Sequence, residues 1–375
     1  MKTKSSSWIP LDVMIEILSR LPAKSVVRFR CVSKLWSAVT TTPDFIKSFH
    51  THSSARPSLL LVMKEEDKRV FFSLPHHQDP ARRYTRVDKY QMMLPTKGPK
   101  LVGTGKVFSS IRGLICFEDV NLQVVIWNPT LRQHVVLPDP KLSRPLISLL
   151  GYDPIDDKYK VLCMSGRREN PRVLTLGTQE SWRMTEPFSP GLHWYGGKNR
   201  RVIGGICLNG IIYFFKQDYH IVESFDVRSE KFKEIRIRDD VFHPYKVGEQ
   251  YIITSYHGRL AWLCCTGGIW VLTDPEKQEW SKGLYSLPEF YRLPRIDDDP
   301  YNCIYLPPLC GVTDSEEITF MEIPRGRPIN AFYHDFKKKT TRWVSYEGFA
   351  DCDCRFDSFP NHIENLMSLK NICLP

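Results

Sequence analysis

The chain has 375 residues, 42% hydrophobic and 25% charged, ordinary globular values and enough length for two or three domains with sizeable cores. Its net charge of +10 is scattered: the densest basic runs, KNRR at 198–201 and KKK at 337–339, lack the interleaved aromatics of a nucleic-acid module. They read as solvated loop and hairpin charge, with a nuclear-import signal as the other reading, so neither a nucleic acid nor a membrane is an expected partner.

From its start, MKTKSSSWIP, the chain shows no apolar core of a secretory signal, and no stretch is apolar for long enough to span a bilayer. Residues 8–50 then have helical periodicity. Leu11, Met14, Ile15, Leu18 and Leu21 recur at three- and four-residue steps. Pro10 suits a helix start, Ser25 is the expected N-cap of the next helix, and Pro43 opens a further short one. In RFRCVSKLWSAV (28–39), read as one helix, Phe29, Val32, Leu35, Trp36 and Val39 share a side, with Val27 and Cys31 on an adjoining stripe. That is more apolar surface than one small helix can hide against a neighbour of equal size, so a covering partner is expected.

From residue 57 onward, short runs of Val, Ile, Leu, Phe and Tyr alternate with turn clusters, and the 27 Pro and 21 Gly fall at intervals. Helical periodicity returns only at NHIENLMSLK (361–370). A loosely repeated unit recurs at 111–138, 203–237, 256–282 and 311–348, with less regular copies near 57–90 and 147–186. Its polar centre, seen as WNPTLRQ, FDVRSEKF, LTDPEKQEW and YHDFKKKTTRW, predicts a hairpin turn. There the Asn or Asp bonds its own backbone and a positive φ is needed. About six such units predict a kelch-like β-propeller, because a sheet face that cannot bury itself is covered by the next blade. An array of two-sheet sandwiches is the alternative. The fold class is therefore mainly β with a small α N-terminal domain: residues 1–50 helical, 51–56 a linker, 57–375 the β domain. FADCDCRFDS, around 349–358, reads as leading into a closing strand.

The eleven Cys contain no C-x-x-C pair, and CC at 264–265 and CDC at 352–354 lack the partner spacing of a zinc site. Free thiols in the nucleus, the cytoplasm or both are expected, with no metal or cofactor. Catalytic motifs are missing too: there is no G-x-S-x-G and no H-E-x-x-H. LVGTGKVF (101–108) departs from a phosphate loop at Lys100 and Val107, and reads as a turn between strands. Asp runs at 156–157, 239–240 and 297–299 are loop neighbours rather than carboxylates set across a pocket, and PHHQDP (75–80) reads as a surface loop.

WIPLDVMIEILSRLPAKSVVRFRCVSKLWSAVTTTPDFIKSF resembles an F-box motif, with Glu16, Ile17, Leu18, Leu21, Pro22, Lys24, Ser25, Arg28, Phe29, Val32, Ser33, Lys34 and Trp36 in place. Ile9 and Val13 stand where the motif has Leu. GLICF, IWNPTLRQHVVLP, GYDPIDDKYKVL, SFDVRSEKF, WVLTDPEKQEWSK and NHIENLMSLK resemble recurring signatures of the F-box-associated (FBA) domain of plant F-box proteins. Together the two resemblances cover nearly the whole chain. They imply a three-helix F-box that docks on a Skp-type adaptor, called ASK in plants, and through it on a cullin-RING ubiquitin ligase. They also imply a non-catalytic β domain that recognises a protein substrate for ubiquitination. The implied adaptor-binding set is Pro10, Ile15, Leu18, Leu21, Pro22, Val26, Val27, Cys31, Val32 and Trp36, with Arg28, Arg30 and Lys34 beside it. The competing reading is that some of this apolar face, Phe29 and Leu35 above all, packs only inside the motif or onto the β domain. A non-degradative binder outside the ligase and a basic nucleic-acid-binding propeller are the competing functions.

Overall fold

The computed structural model describes residues 9–65, 68–76, 88–93, 107–119, 123–143, 146–165, 169–178, 181–185, 205–215, 221–237, 251–264, 267–284, 309–322, 329–346, 356–370 and 372. Four helices come first: α1 (Leu11–Ser19), α2 (Ala23–Arg30), α3 (Lys34–Thr40) and α4 (Pro43–Ser54). Leu18, Ala23, Val26, Phe45 and Phe49 are their buried core, with Phe45 and Phe49 stacked 6.5 Å apart.

Several sequence expectations change here. The stretch 28–39 is two helices, because Ser33, at the N-cap position of α3, is extended (φ −145, ψ 134). The stripe of one long helix is thereby broken, and Val32 is thrown outward. Ser25 lies inside α2; the N-cap is Pro22, which offers no side-chain acceptor. Pro43 sits in the first turn of α4, with the Thr42 hydroxyl accepting from Phe45 N–H. That helix runs 12 residues to Ser54, so most of the expected linker is helical. Pro10 is the N-cap of α1.

The β domain holds six four-stranded antiparallel sheets among the described residues. One is β4 (Val107–Ile111), β5 (Leu114–Glu118), β6 (Val124–Asn128) and β7 (Gln133–Val136). The next three are β8–β11 (146–184), β12–β15 (206–236) and β16–β19 (251–284), and the fifth is β20–β23 (309–346). The sixth joins β1 (Ser58–Glu65), β2 (Lys68–Pro75) and β3 (Asp88–Met93) to β24 (Phe356–His362), which lies antiparallel to β1. Contacts between β4 and β8, β8 and β12, β12 and β16, β16 and β20, β20 and β24, and β24 and β4 close the ring. This is a six-bladed propeller, closed by a C-terminal strand beside the first N-terminal one. The sandwich array is not formed.

Six apolar clusters fill the gaps between neighbouring sheets. Phe71 meets Trp127 at 5.7 Å in one, and Ile212 and Phe225 face Leu149 and Leu162 in another. Middle strands such as β5 and β6 are buried at every position because sheets cover both their faces, whereas the outer β7 is alternately exposed.

The predicted hairpin turn recurs with fixed spacing. Asn128, Asp153, Asp226, Asp274 and Asp335 each accept backbone N–H bonds two or three residues on. The residue four positions after each one has positive φ: Arg132 (54), Asp157 (52), Glu230 (59), Gln278 (57) and Lys339 (55). The side-chain oxygen substitutes for a backbone acceptor and holds the turn while the fifth residue takes up the left-handed conformation. The basic KKK run and the Asp156–Asp157 pair are therefore turn residues, as their sequence suggested. Helix formation at 361–370 does not occur. Residues 356–362 are β24 and 363–368 have no regular structure.

His76, expected in a surface loop, is buried, its ring edge-on to Tyr333 and hydrogen-bonded to Pro360 O. Residues 77–80, 94–106, 186–204, 238–250, 285–308, 347–355 and Cys265 lie outside the described residues. So does most of the 101–108 turn, and with these go the 198–201 basic run and two of the acidic clusters.

Two outcomes are expected. Asp274 accepts from Glu276 N–H at 2.9 Å and Lys277 N–H at 3.0 Å. Asp274→Ala lowers stability by about 1 kcal/mol and Asp274→Asn restores most of it, because Asn keeps the acceptor oxygen; urea titration of the full chain reads both, and equal loss in the two variants would exclude this role. The second concerns pH. Burial, assisted for His50 by the Arg112 charge, holds His50 and His362 down at about 4, against an ordinary 6.5. The unfolded chain therefore binds more protons than the folded one between those values. Stability is full above about 6.5, falls as the pH drops towards about 4, and loses this slope below it. Urea midpoints across that window measure the fall, and His50→Gln flattens it.

Candidate adaptor interface

The ten side chains implied for adaptor contact divide by burial. Leu18 (3% exposed) and Val26 (0%) are interior residues of the helical unit. They face Phe45, Phe49 and Leu366 rather than solvent. Ile15, Leu21, Val27 and Trp36 are half-buried against the same core, Trp36 edge-on to Phe29 with ring centres 5.0 Å apart. Pro10, Pro22, Cys31 and Val32 are exposed, Val32 at 70%.

Five further apolar side chains, outside the implied set, are open to solvent: Ile9 (56%), Leu11 (50%), Val13 (43%), Ile17 (49%) and Leu35 (44%). Val13 and Ile17 are one turn apart on the same face of α1, and Leu35 lies just past the α2–α3 break that also exposes Val32. Period alone marks both sides of α1 as apolar. Which side is interior is decided by Phe45 and Phe49 on α4, a long-range pairing with no local signal. Phe29 packs inside the unit, and Leu35 does not.

The flanking charges also divide. Arg30 is turned inward, donating to Thr40 Oγ1 at 3.1 Å and Thr40 O at 2.8 Å, which pins α2 to the end of α3. Burial lowers its pKa from the usual guanidinium value. Arg28 and Lys34 are exposed. The helical unit thus presents isolated apolar side chains with basic groups beside them, the composition of a surface that a partner's helices cover.

Strand direction fixes where this unit sits on the ring. It adjoins the turns at 112–113 and 128–132: Leu131 joins the helical core, and Arg112 Nε donates to His50 Nε2 at 2.8 Å. Arg112 also lies 3.9 Å over the Tyr152 ring, whose hydroxyl donates to Asp157 at 2.6 Å. In an antiparallel sheet the first and third hairpins share one face of the ring, and the second hairpin and the exit from the outer strand share the other. The strand ends at Met93, Met184, Arg236, Leu284 and Tyr346 therefore open on the face away from the helices. Met184 precedes the 186–202 segment, which holds Trp194 and Tyr195 and lies outside the described residues.

Among the described residues no group of His, Cys, Asp and Glu could hold a metal ion. Cys116, Cys163, Cys207, Cys264 and Cys310 form no disulfide, and burial pushes Cys207 up to about 11 and Cys310 up to about 12. These are packing residues rather than nucleophiles.

Residues 6–48 match the F-box domain, and residues 58–368 match the F-box associated beta propeller domain. A putative F-box protein of Arabidopsis thaliana is 40% identical over 397 residues, covering 97% of this chain and 90% of its own length. A second F-box protein of that plant is 36% identical over 384 residues, covering 97% and 92%. A chain from the crystal structure of a nidogen/laminin complex overlays 78% of this chain and 100% of itself, at a TM-score of 0.45 and 10% identity. With an exposed apolar helical unit on one face of a closed six-bladed ring, and both of its parts matched over almost their full length, the chain belongs to the plant F-box proteins that carry an F-box associated β-propeller domain.

Proposed function

We propose that this chain is the substrate-recognition subunit of an SCF-type cullin-RING ubiquitin ligase. F-box domains generally bind Skp1-type adaptors, and receptors of this family are generally non-catalytic. The observation that carries the reading is the exposure of Ile17, Val32 and Leu35 on a helical unit whose core, with Leu366 in it, is already filled. Burying such a side chain is worth roughly 1.5–3 kcal/mol, so a few of them suffice for a specific contact. The propeller carries the target on the face away from the helices, where the outer strands end. Holding a target's lysines near a charged conjugating enzyme raises their effective concentration, and the bond-making stays with the other subunits. Buried cysteines without disulfides suit the reducing nucleus or cytoplasm as the place of action.

The test is capture of the full chain by a purified Skp1-type adaptor, beside an Ile17→Asp, Val32→Asp double variant. Both positions are exposed, so circular dichroism should be unchanged, while capture weakens by at least about tenfold. Failure of the wild type to bind, or equal binding by the variant, would refute the assignment. Adaptor binding without cullin-dependent loss of a bound target would indicate the non-degradative binder.

A further inference from the structure

The chain after β24 forms neither helix nor strand over 363–368, yet Ile363, Asn365, Leu366 and Leu369 are buried. Its buried groups divide between two bodies. Towards the helices, a Glu364 carboxylate oxygen accepts from Ala23 N–H at 2.9 Å, and Glu364 N–H donates to Ser53 Oγ at 2.9 Å. Leu366 enters the helical core beside Leu18, Ala23, Val26, Phe45 and Phe49. Towards the propeller, Asn365 donates from its backbone to Thr130 Oγ1 at 3.0 Å and from its amide to Arg112 O at 2.6 Å. Asn128, itself buried, donates to Asn365 O at 3.0 Å and to Met367 O at 2.9 Å. Leu369 and Ile372 then join the cluster between the β4–β7 and β8–β11 sheets.

Ala23 is the first residue of α2, and its Pro22 N-cap can accept nothing through a side chain. The helix is capped instead by a carboxylate 341 residues away. Five buried residues are also a small core for four short helices, and Leu366 is the sixth.

We propose that residues 363–369 form a strap that completes the core of the helical unit and locks that unit in one orientation on the propeller. The stability of the F-box helices therefore depends on the far end of the chain. Ring closure does not, because it is made earlier by β24. Gly113 marks how closely the strap lies: its φ is +82, and a Cβ there would come within 2.8 Å of Asn365 Cβ. The consequence for ubiquitin transfer, a fixed spacing between adaptor and target, rests on the receptor reading; the strap does not.

The experiment is amide hydrogen exchange of the full chain, comparing wild type with Leu366→Asp and with the milder Glu364→Ala. Peptides from β12–β19 serve as the reference. In Leu366→Asp, amides of α1–α4 should exchange at least tenfold faster while β12–β19 are unchanged, and Glu364→Ala should show a smaller rise centred on the start of α2. Unchanged helical protection in both variants would overturn the proposal. So would equal loss in the β12–β19 peptides, since the tail would then be part of one cooperative unit. Adaptor capture by the same variants separates the two readings: if wild type is not captured while the exchange pattern holds, the strap stands and the receptor assignment falls.

Discussion

Pairing between β1 and β24 is the constraint on which the rest of the molecule depends. Leu60 to Met63 lie opposite Phe356 to Phe359, so strands from the two ends of the β domain share one sheet. Each of the six clusters buries the face of one sheet against the next, and each face has only that one neighbour to cover it. Without that closure the ring would expose two apolar faces at once. Closure also brings the chain end back beside α4, which ends only four residues before β1 begins. The proximity of the helical unit, the first hairpin of the β4–β7 sheet and residues 363–369 follows from this geometry.

Around the ring, polar contacts reinforce the apolar ones on the face that bears the helices. Lys160 and Arg183 of one blade both bind Glu230 of the next, and Lys233 reaches Glu276 at 3.1 Å across the following gap. Arg342 holds Glu317, lies 4.0 Å over the Tyr333 ring, and donates to His76 O at 2.9 Å. Exposed pairs such as Lys233–Glu276 add little stability. Their effect is on geometry, since each links a turn of one blade to its neighbour.

Much of this was legible in the sequence because its causes are local. The Asn or Asp that bonds its own backbone, followed four residues later by a left-handed residue, is a property of five residues and repeats with the blades. The four clearest units fell on four of the six sheets for that reason. What was not legible depends on residues far apart in the chain. Ser25 looked like a cap because nothing near it shows that Glu364 occupies that role. Ile363, Leu366, Met367 and Leu369 have helix-like spacing, but Leu366 serves the helical core and Leu369 a propeller cluster, so the segment is drawn out between the two. Likewise Leu18 and Ile17 are adjacent and equally apolar, and only the position of Phe45 and Phe49 makes one interior and the other surface.

The functional account therefore rests on a division of faces: apolar side chains on the helices for an adaptor, the opposite rim of the ring for a target. The most direct measurement is hydrogen-exchange footprinting of the full chain with and without a Skp1-type adaptor. The account predicts slowed exchange confined to peptides spanning residues 9–20 and 28–40, with the six sheets unaffected. Protection on the propeller sheets, or none anywhere at saturating adaptor, would contradict it.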